Sequence, residues 1–117
     1  MDVNGLHQLN NTRGHAAGDE MLQKVAAHVQ DIFGEEYSYR VGGDEFVAFA
    51  MDRSAEEMRD LIRTLVRAVD EDGYSVAVGT ATSSAGGIDM SVLVKSAEQR
   101  MYMAKEEYYR VNGITRG

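Results

Sequence analysis

A chain of 117 residues, 44% hydrophobic and 26% charged, has the size and composition of one soluble globular domain with its own core. Twelve Lys and Arg stand against 19 Asp and Glu, and the net charge of −7 argues against a nucleic-acid binder, which needs a basic face. The absence of cysteine excludes disulfides and thiolate metal sites, no run approaches the roughly 18 apolar residues of a membrane span, and no signal-peptide pattern opens the chain.

Met1–Asn4 reads as the exit of a strand whose body is not in this sequence, so the single domain over 1–117 is expected to be N-terminally incomplete. Residues 4–13 predict a short helix or turn ending at Arg13-Gly14. From Ala17 to Phe33, Leu22, Val25, Ala26, Val29, Ile32 and Phe33 follow helical spacing, with Gly34 as the stop. Tyr37, Tyr39 and Val41 alternate with polar positions and Phe46-Val47-Ala48-Phe49-Ala50 is an apolar run. Together they predict a β-hairpin over roughly 36–51, with Gly42 and Gly43 supplying positive φ at its turn.

Ser54-Ala55-Glu56-Glu57 is a capping box. It opens a helix whose inner face is Met58, Leu61, Ile62, Leu65, Val66 and Val69. Asp72-Gly73 turns the chain into an alternating strand over 74–81, a small-residue loop spans 83–87, and Asp89 caps a last helix carrying Leu93, Ala97, Met101, Ala104 and Tyr108. The order α–β–β–α–β–α is an α/β sandwich, a mostly antiparallel sheet flanked by helices and lacking its first central strand. The sheet edges left exposed are expected to pair with another chain, and Asp2 to sit at a frayed terminus.

Four groups of residues carry candidate chemistry. Asp44 and Glu45 at the hairpin tip are either a solvated turn or a hard-oxygen site for Mg²⁺. Asp2 and Asn4, near the chain start, read on their own as solvated turn formers. Asn10-Asn11 and Gly14-His15-Ala16-Ala17-Gly18-Asp19 supply either helix caps or a carboxylate and an amide that can read the donor edge of guanine. Lys105, in Tyr102-Met103-Ala104-Lys105, is either a solvated helix residue or a point charge for a phosphate.

Taken together and in this order, Asp2-Val3-Asn4-Gly5-Leu6, Asn10-Asn11, the Gly14–Asp19 run, Arg40-Val41-Gly42-Gly43-Asp44-Glu45-Phe46 and Met101–Lys105 resemble a GGDEF domain. The resemblance covers nearly the whole chain, and the central signature is highly specific. It implies the nucleotidyl-cyclase, ferredoxin-like fold of the diguanylate cyclase family, which condenses two GTP into cyclic di-GMP across a homodimer interface. By position, Asp2, the Val3 carbonyl, Asp44 and Glu45 would hold Mg²⁺, Asp44 and Glu45 being the catalytic carboxylates. Asn10 and Asp19 would bind guanine, Gly42 and Gly43 would let backbone approach the nucleotide, and Lys105 would contact the triphosphate. The resemblance also implies a bacterial, cytoplasmic protein with an upstream sensor domain, with no nucleic-acid partner and no membrane contact by this domain.

Several positions depart from the family pattern. His7 stands where many members carry a phosphate-binding Lys, Asn11 replaces a common Asp, and Tyr109 replaces an Arg four residues after Lys105, with Arg110 beside it. Phe33 and Glu36 occupy the place of the Arg-x-x-Asp pair that binds product, so no product inhibition through that site is expected. The intact signature favours a cyclase. The lost cations favour the alternative, a weak or inactive GGDEF domain that senses GTP or binds protein. The isolated chain is expected to turn over little or no GTP.

Overall fold

The computed structural model describes residues 1–82 and 90–113. The loop expected over 83–87 and the cap expected at Asp89 lie outside the described residues. In chain order the elements are β1 (Asp2–Val3), α1 (Leu6–Arg13), α2 (His15–Phe33), a 3₁₀ turn (Glu35–Tyr37), β2 (Ser38–Arg40), β3 (Phe46–Ala48), α3 (Ala55–Glu71), β4 (Val76–Ala77) and α4 (Met90–Val111).

Local signals set the helix ends. Ser54 Oγ accepts from the Glu57 N–H at 3.0 Å while Glu57 Oε1 accepts from the Ser54 N–H at 3.1 Å, so the capping box forms as its spacing predicts. Gly34 closes α2 at φ 93°, its N–H donating to the Gln30 carbonyl. The expected inner face of α3 is too wide. Leu65 and Val69 are fully buried but Val66 is 41% exposed, because a residue next to Leu65 is turned some 100° around the helix.

Among the described residues the strand pairs are antiparallel: Asp2 opposite Ala77 and Val3 opposite Val76, then Ser38, Tyr39 and Arg40 opposite Ala48, Val47 and Phe46. A bridge between Asp2 and Glu45 joins the two ribbons. The strands are shorter than expected because a ladder extends only as far as its partner. β1 offers two residues, so β4 is 76–77 and not 74–81.

The chain start is not frayed. The Val3 N–H donates to the Asp44 carbonyl at 2.8 Å, the Asn4 N–H to Ser75 at 2.9 Å, and Met1 exchanges two bonds with Phe46. Asp2, Val3 and Asn4 are all buried. Pairing on both sides fixes a terminus that its position alone would leave loose.

Strand alternation then sorts the side chains. Val3 and Phe46 join the core of Met21, Leu22, Val25 and Val29 from α2 and Leu65 and Val69 from α3. Asp2 points the opposite way, toward α4. Gly79 lets α4 lie directly on the chain beyond β4, for a Cβ there would meet the Ala97 carbonyl at 2.1 Å and the Met101 nitrogen at 2.2 Å. Beyond Met1 the sheet opens. A cavity of about 90 Å³ separates Val47–Phe49 from Val78–Ala81, with Ile62 and Leu65 on one side and Leu93 and Ala97 on the other.

Candidate functional site

The signature loop hangs between β2 and β3. Val41 N–H donates to the Glu45 carbonyl at 3.0 Å, closing a loop long enough that Gly42 and Gly43 need no positive φ. That corrects the sequence expectation for these two residues. A Cβ on Gly43 would meet nothing within 4 Å, and one on Gly42 only the Glu45 side chain, so the protein's own packing does not demand glycine at either place. Arg40, which sequence reasoning passed over, holds the loop. Its guanidinium donates to the Gly42 carbonyl at 3.2 Å and to the Gly43 carbonyl at 2.7 and 3.2 Å. Its place directly before the signature was the available signal.

Where β1, the loop and α4 meet, three oxygens converge on one cation. Lys105 Nζ lies 2.6 Å from Asp2 Oδ1, an ion pair more than a well-aimed hydrogen bond. It donates to the Val3 carbonyl at 3.2 Å and to Asp44 Oδ2 at 3.3 Å. Lys105 is 5% exposed. One helical turn later, the Tyr109 ring centroid is 5.9 Å from the ammonium, and the Tyr109 hydroxyl accepts from the Gly5 N–H at 3.2 Å. So Asp2, Val3 and Asp44 are brought together, and Lys105 lies among them.

Burial is the main influence on Asp2 and pushes its carboxyl up to about 6; Lys105 works against the rise and the nearby Asp44 adds to it. Burial opposes the Lys105 charge, yet the bond to Asp2 and the charges of Asp2 and Asp44 hold its ammonium above the ordinary lysine range. Glu45 is also raised, first by burial and then by Glu98 on α4. Among the described residues no three carboxylate or imidazole side chains form a metal cluster, so a cation here depends on the Val3 carbonyl as well as the two carboxylates.

A second group lies on α1 and α2. Gly18 faces Asn10, and a Cβ at Gly18 would fall 1.9 Å from Asn10 Oδ1. That oxygen is buried and accepts no hydrogen bond, a costly state for an amide. Asp19 follows Gly18 and is exposed. His7, exposed on α1, shares a hydrogen bond of 3.1 Å with Asn11, which is therefore a surface partner and not a cap.

At the end of α4, Arg110 pairs with Glu107 at 2.5 and 3.1 Å on the outer face while Tyr109 faces inward. Consecutive helical residues point about 100° apart, so Arg110 does not stand in for an inward Arg at 109. Phe33 packs against the core, and Glu36 is exposed. No helix among the described residues is long and apolar enough to cross a membrane.

The family model described as "Diguanylate cyclase, GGDEF domain" matches residues 1–110. Diguanylate cyclase DosC of Escherichia coli (strain K12) is 33% identical over 116 residues, which cover 90% of this chain and 25% of that protein. DosC of Shigella sonnei (strain Ss046) gives the same figures. The signaling protein YkoW of Bacillus subtilis (strain 168) is 30% identical over 117 residues, 91% of this chain and 15% of its own length. The chain thus spans a quarter or less of the length of these curated relatives.

Proposed function

The chain belongs to the GGDEF domain family, and from that premise we propose that it is the catalytic domain of a diguanylate cyclase. In this reading the 3′-hydroxyl of one GTP attacks the α-phosphate of another, a new P–O bond forms, and the bond to pyrophosphate breaks. A second such step closes cyclic di-GMP. Each subunit of a homodimer presents one GTP.

The observation that carries the reading is the convergence of Asp2 Oδ1, the Val3 carbonyl and Asp44 Oδ2 on one cation position. Two carboxylates and a carbonyl are the hard oxygen donors that Mg²⁺ prefers, and Lys105 Nζ is evidence that a positive charge fits among them. Mg²⁺ held there would favour the ionised 3′-hydroxyl and offset charge on the transferring phosphate. Glu45, expected from the family resemblance to join this set, instead faces Glu98 and Met1 along the cavity, so the proposed metal position rests on Asp2, Asp44 and the Val3 carbonyl. The unsatisfied Asn10 Oδ1 is an acceptor suited to guanine N1–H and N2–H₂, with the exposed Asp19 carboxylate as its companion. Gly42 and Gly43 leave backbone without an obstructing Cβ where a nucleotide would approach.

The whole protein is read as a bacterial cytoplasmic enzyme driven by an upstream sensor domain, with no product inhibition through Phe33 and Glu36. The second reading, a weak GTP-binding or protein-interaction module, is favoured by Tyr109. Its hydroxyl occupies the Gly5 N–H, and Arg110 is engaged with Glu107. The test is GTP turnover with Mg²⁺, followed by chromatography of cyclic di-GMP, on this chain and on one extended upstream. Product from the longer chain, lost in Asp44→Ala, supports the cyclase. GTP binding without product from either chain supports the sensor.

A further inference from the structure

We infer that Lys105 is a built-in competitor for the metal position, a counter-ion that holds Asp2 and Asp44 until a divalent cation takes its place. The inference rests on reading Asp2, Val3 and Asp44 as the metal site.

Three observations lead to it. The ammonium touches all three candidate ligands at 2.6 to 3.3 Å, so it occupies their common focus and does not merely lie nearby. Hard divalent cations sit about 2.0–2.6 Å from their oxygens, and two positive charges cannot share that focus in a low-dielectric setting. Binding of one therefore requires departure of the other.

The second observation is that Lys105 is held in place. It is 5% exposed, Tyr109 lies over it from the next turn, and the Tyr109 hydroxyl is tied to Gly5. The third is charge balance. Asp2 and Asp44 would otherwise face each other without compensation, one of them buried, and the ammonium supplies the compensation in the metal-free protein.

Two consequences follow. Metal affinity is lowered by the work of displacing the lysine. Once displaced, the ammonium is released on a flexible four-carbon stem toward whatever anion accompanies the metal. One residue thereby serves as counter-ion to the carboxylates in the empty state and to an anionic ligand in the filled one.

The test is Mn²⁺ binding to the 117-residue chain without nucleotide, read by electron paramagnetic resonance, for the wild type, Asp44→Asn, Lys105→Met, and Lys105→Met with Asp44→Asn. Removing a cation within contact distance of the ligands is expected to tighten Mn²⁺ binding roughly tenfold. Asp44→Asn in the same background is expected to abolish the gain. Unchanged or weaker binding by Lys105→Met, with Asp44→Asn still lowering it, overturns the inference and leaves the metal site standing. Mn²⁺ binding indifferent to Asp44 in every variant overturns the metal site and the inference together.

A measurement on the unmodified protein does not depend on the variant folding. Acylation of Lys105, followed by peptide mass spectrometry against the exposed Lys24 and Lys95, is expected to accelerate at saturating Mn²⁺. A Lys105 rate unmoved by Mn²⁺ overturns the proposal.

Discussion

The segment Met1–Asn4 has two unlike surroundings. At Asp2–Asn4 it is hydrogen-bonded to the signature loop on one side and to Ser75 on the other, and its one buried carboxylate meets a buried ammonium. At Met1 it faces a cavity of about 90 Å³ between the ends of β3 and β4. The polar centre sets one ammonium among its two carboxylates, whereas the apolar layer beside it leaves a cavity. Four residues fix a site that depends on a few directional contacts. They cannot supply the cohesion of a sheet, which depends on contiguous buried area.

The contrast predicts where the protein is fragile. Gly79 belongs to both regions, since it lines the cavity and seats the helix that carries Lys105. Gly79→Val would drive side-chain atoms into the backbone of α4, which cannot yield as a side chain would. The expected loss is about 3 kcal/mol or more by chemical denaturation, together with Asp44-dependent Mn²⁺ binding. Intact metal binding in a Gly79→Val protein would show that the centre does not need α4 seated on β4. Leu65 is fully buried yet borders the cavity. Leu65→Ala is therefore expected near the low end for such changes, about 2 kcal/mol, because part of its surroundings is already empty. A loss near 5 kcal/mol would mean that the cavity closes in solution.

What the sequence disclosed follows the same division. The extents of α1, α2 and α3, the Ser54 box and the Gly34 stop were legible because each rests on residues within a few positions of one another. Strand lengths were not, since β4 ends where β1 has no more residues to offer. The expectation of positive φ at Gly42 and Gly43 assumed a tight turn, and the Val41–Glu45 closure needs none at these residues. Asp2, Val3 and Asp44 could be named from a resemblance to known signatures. That Lys105 would lie among them was hidden, because it depends on contacts 61 and 102 residues apart that form only when α4 docks.

The smaller predictions separate charge from packing. Asp2 in the folded chain holds its proton up to about 6, above its usual value of 3.8. A carboxyl raised on folding stabilises fully below its unfolded value, and that contribution is lost as pH rises through the folded one. Metal-free protein should therefore lose stability between about pH 4 and pH 6 relative to Asp2→Asn, by roughly 1–2 kcal/mol once the opposing bond to Lys105 is allowed for. Mn²⁺ should reverse the trend, binding more tightly as pH rises through the same window. Parallel denaturation profiles for the two proteins would mean that burial does not outweigh the opposing pull of Lys105 on Asp2.

Ser54→Ala gives the smallest effect. Ser54 and Glu57 lie at the exposed start of α3, and their reciprocal bonds satisfy donors that nothing else at that terminus reaches. Losing the hydroxyl should cost about 1 kcal/mol. Neither Ser54 nor Glu57 contacts the carboxylate–ammonium centre, so the loss should appear in the melting midpoint alone, with Mn²⁺ affinity unchanged. A matching fall in affinity would show that the two regions fold as one tightly coupled unit, and that the polar centre draws on the helix layer even though, among the described residues, Lys105, Asp2 and Asp44 make its direct ionic contacts.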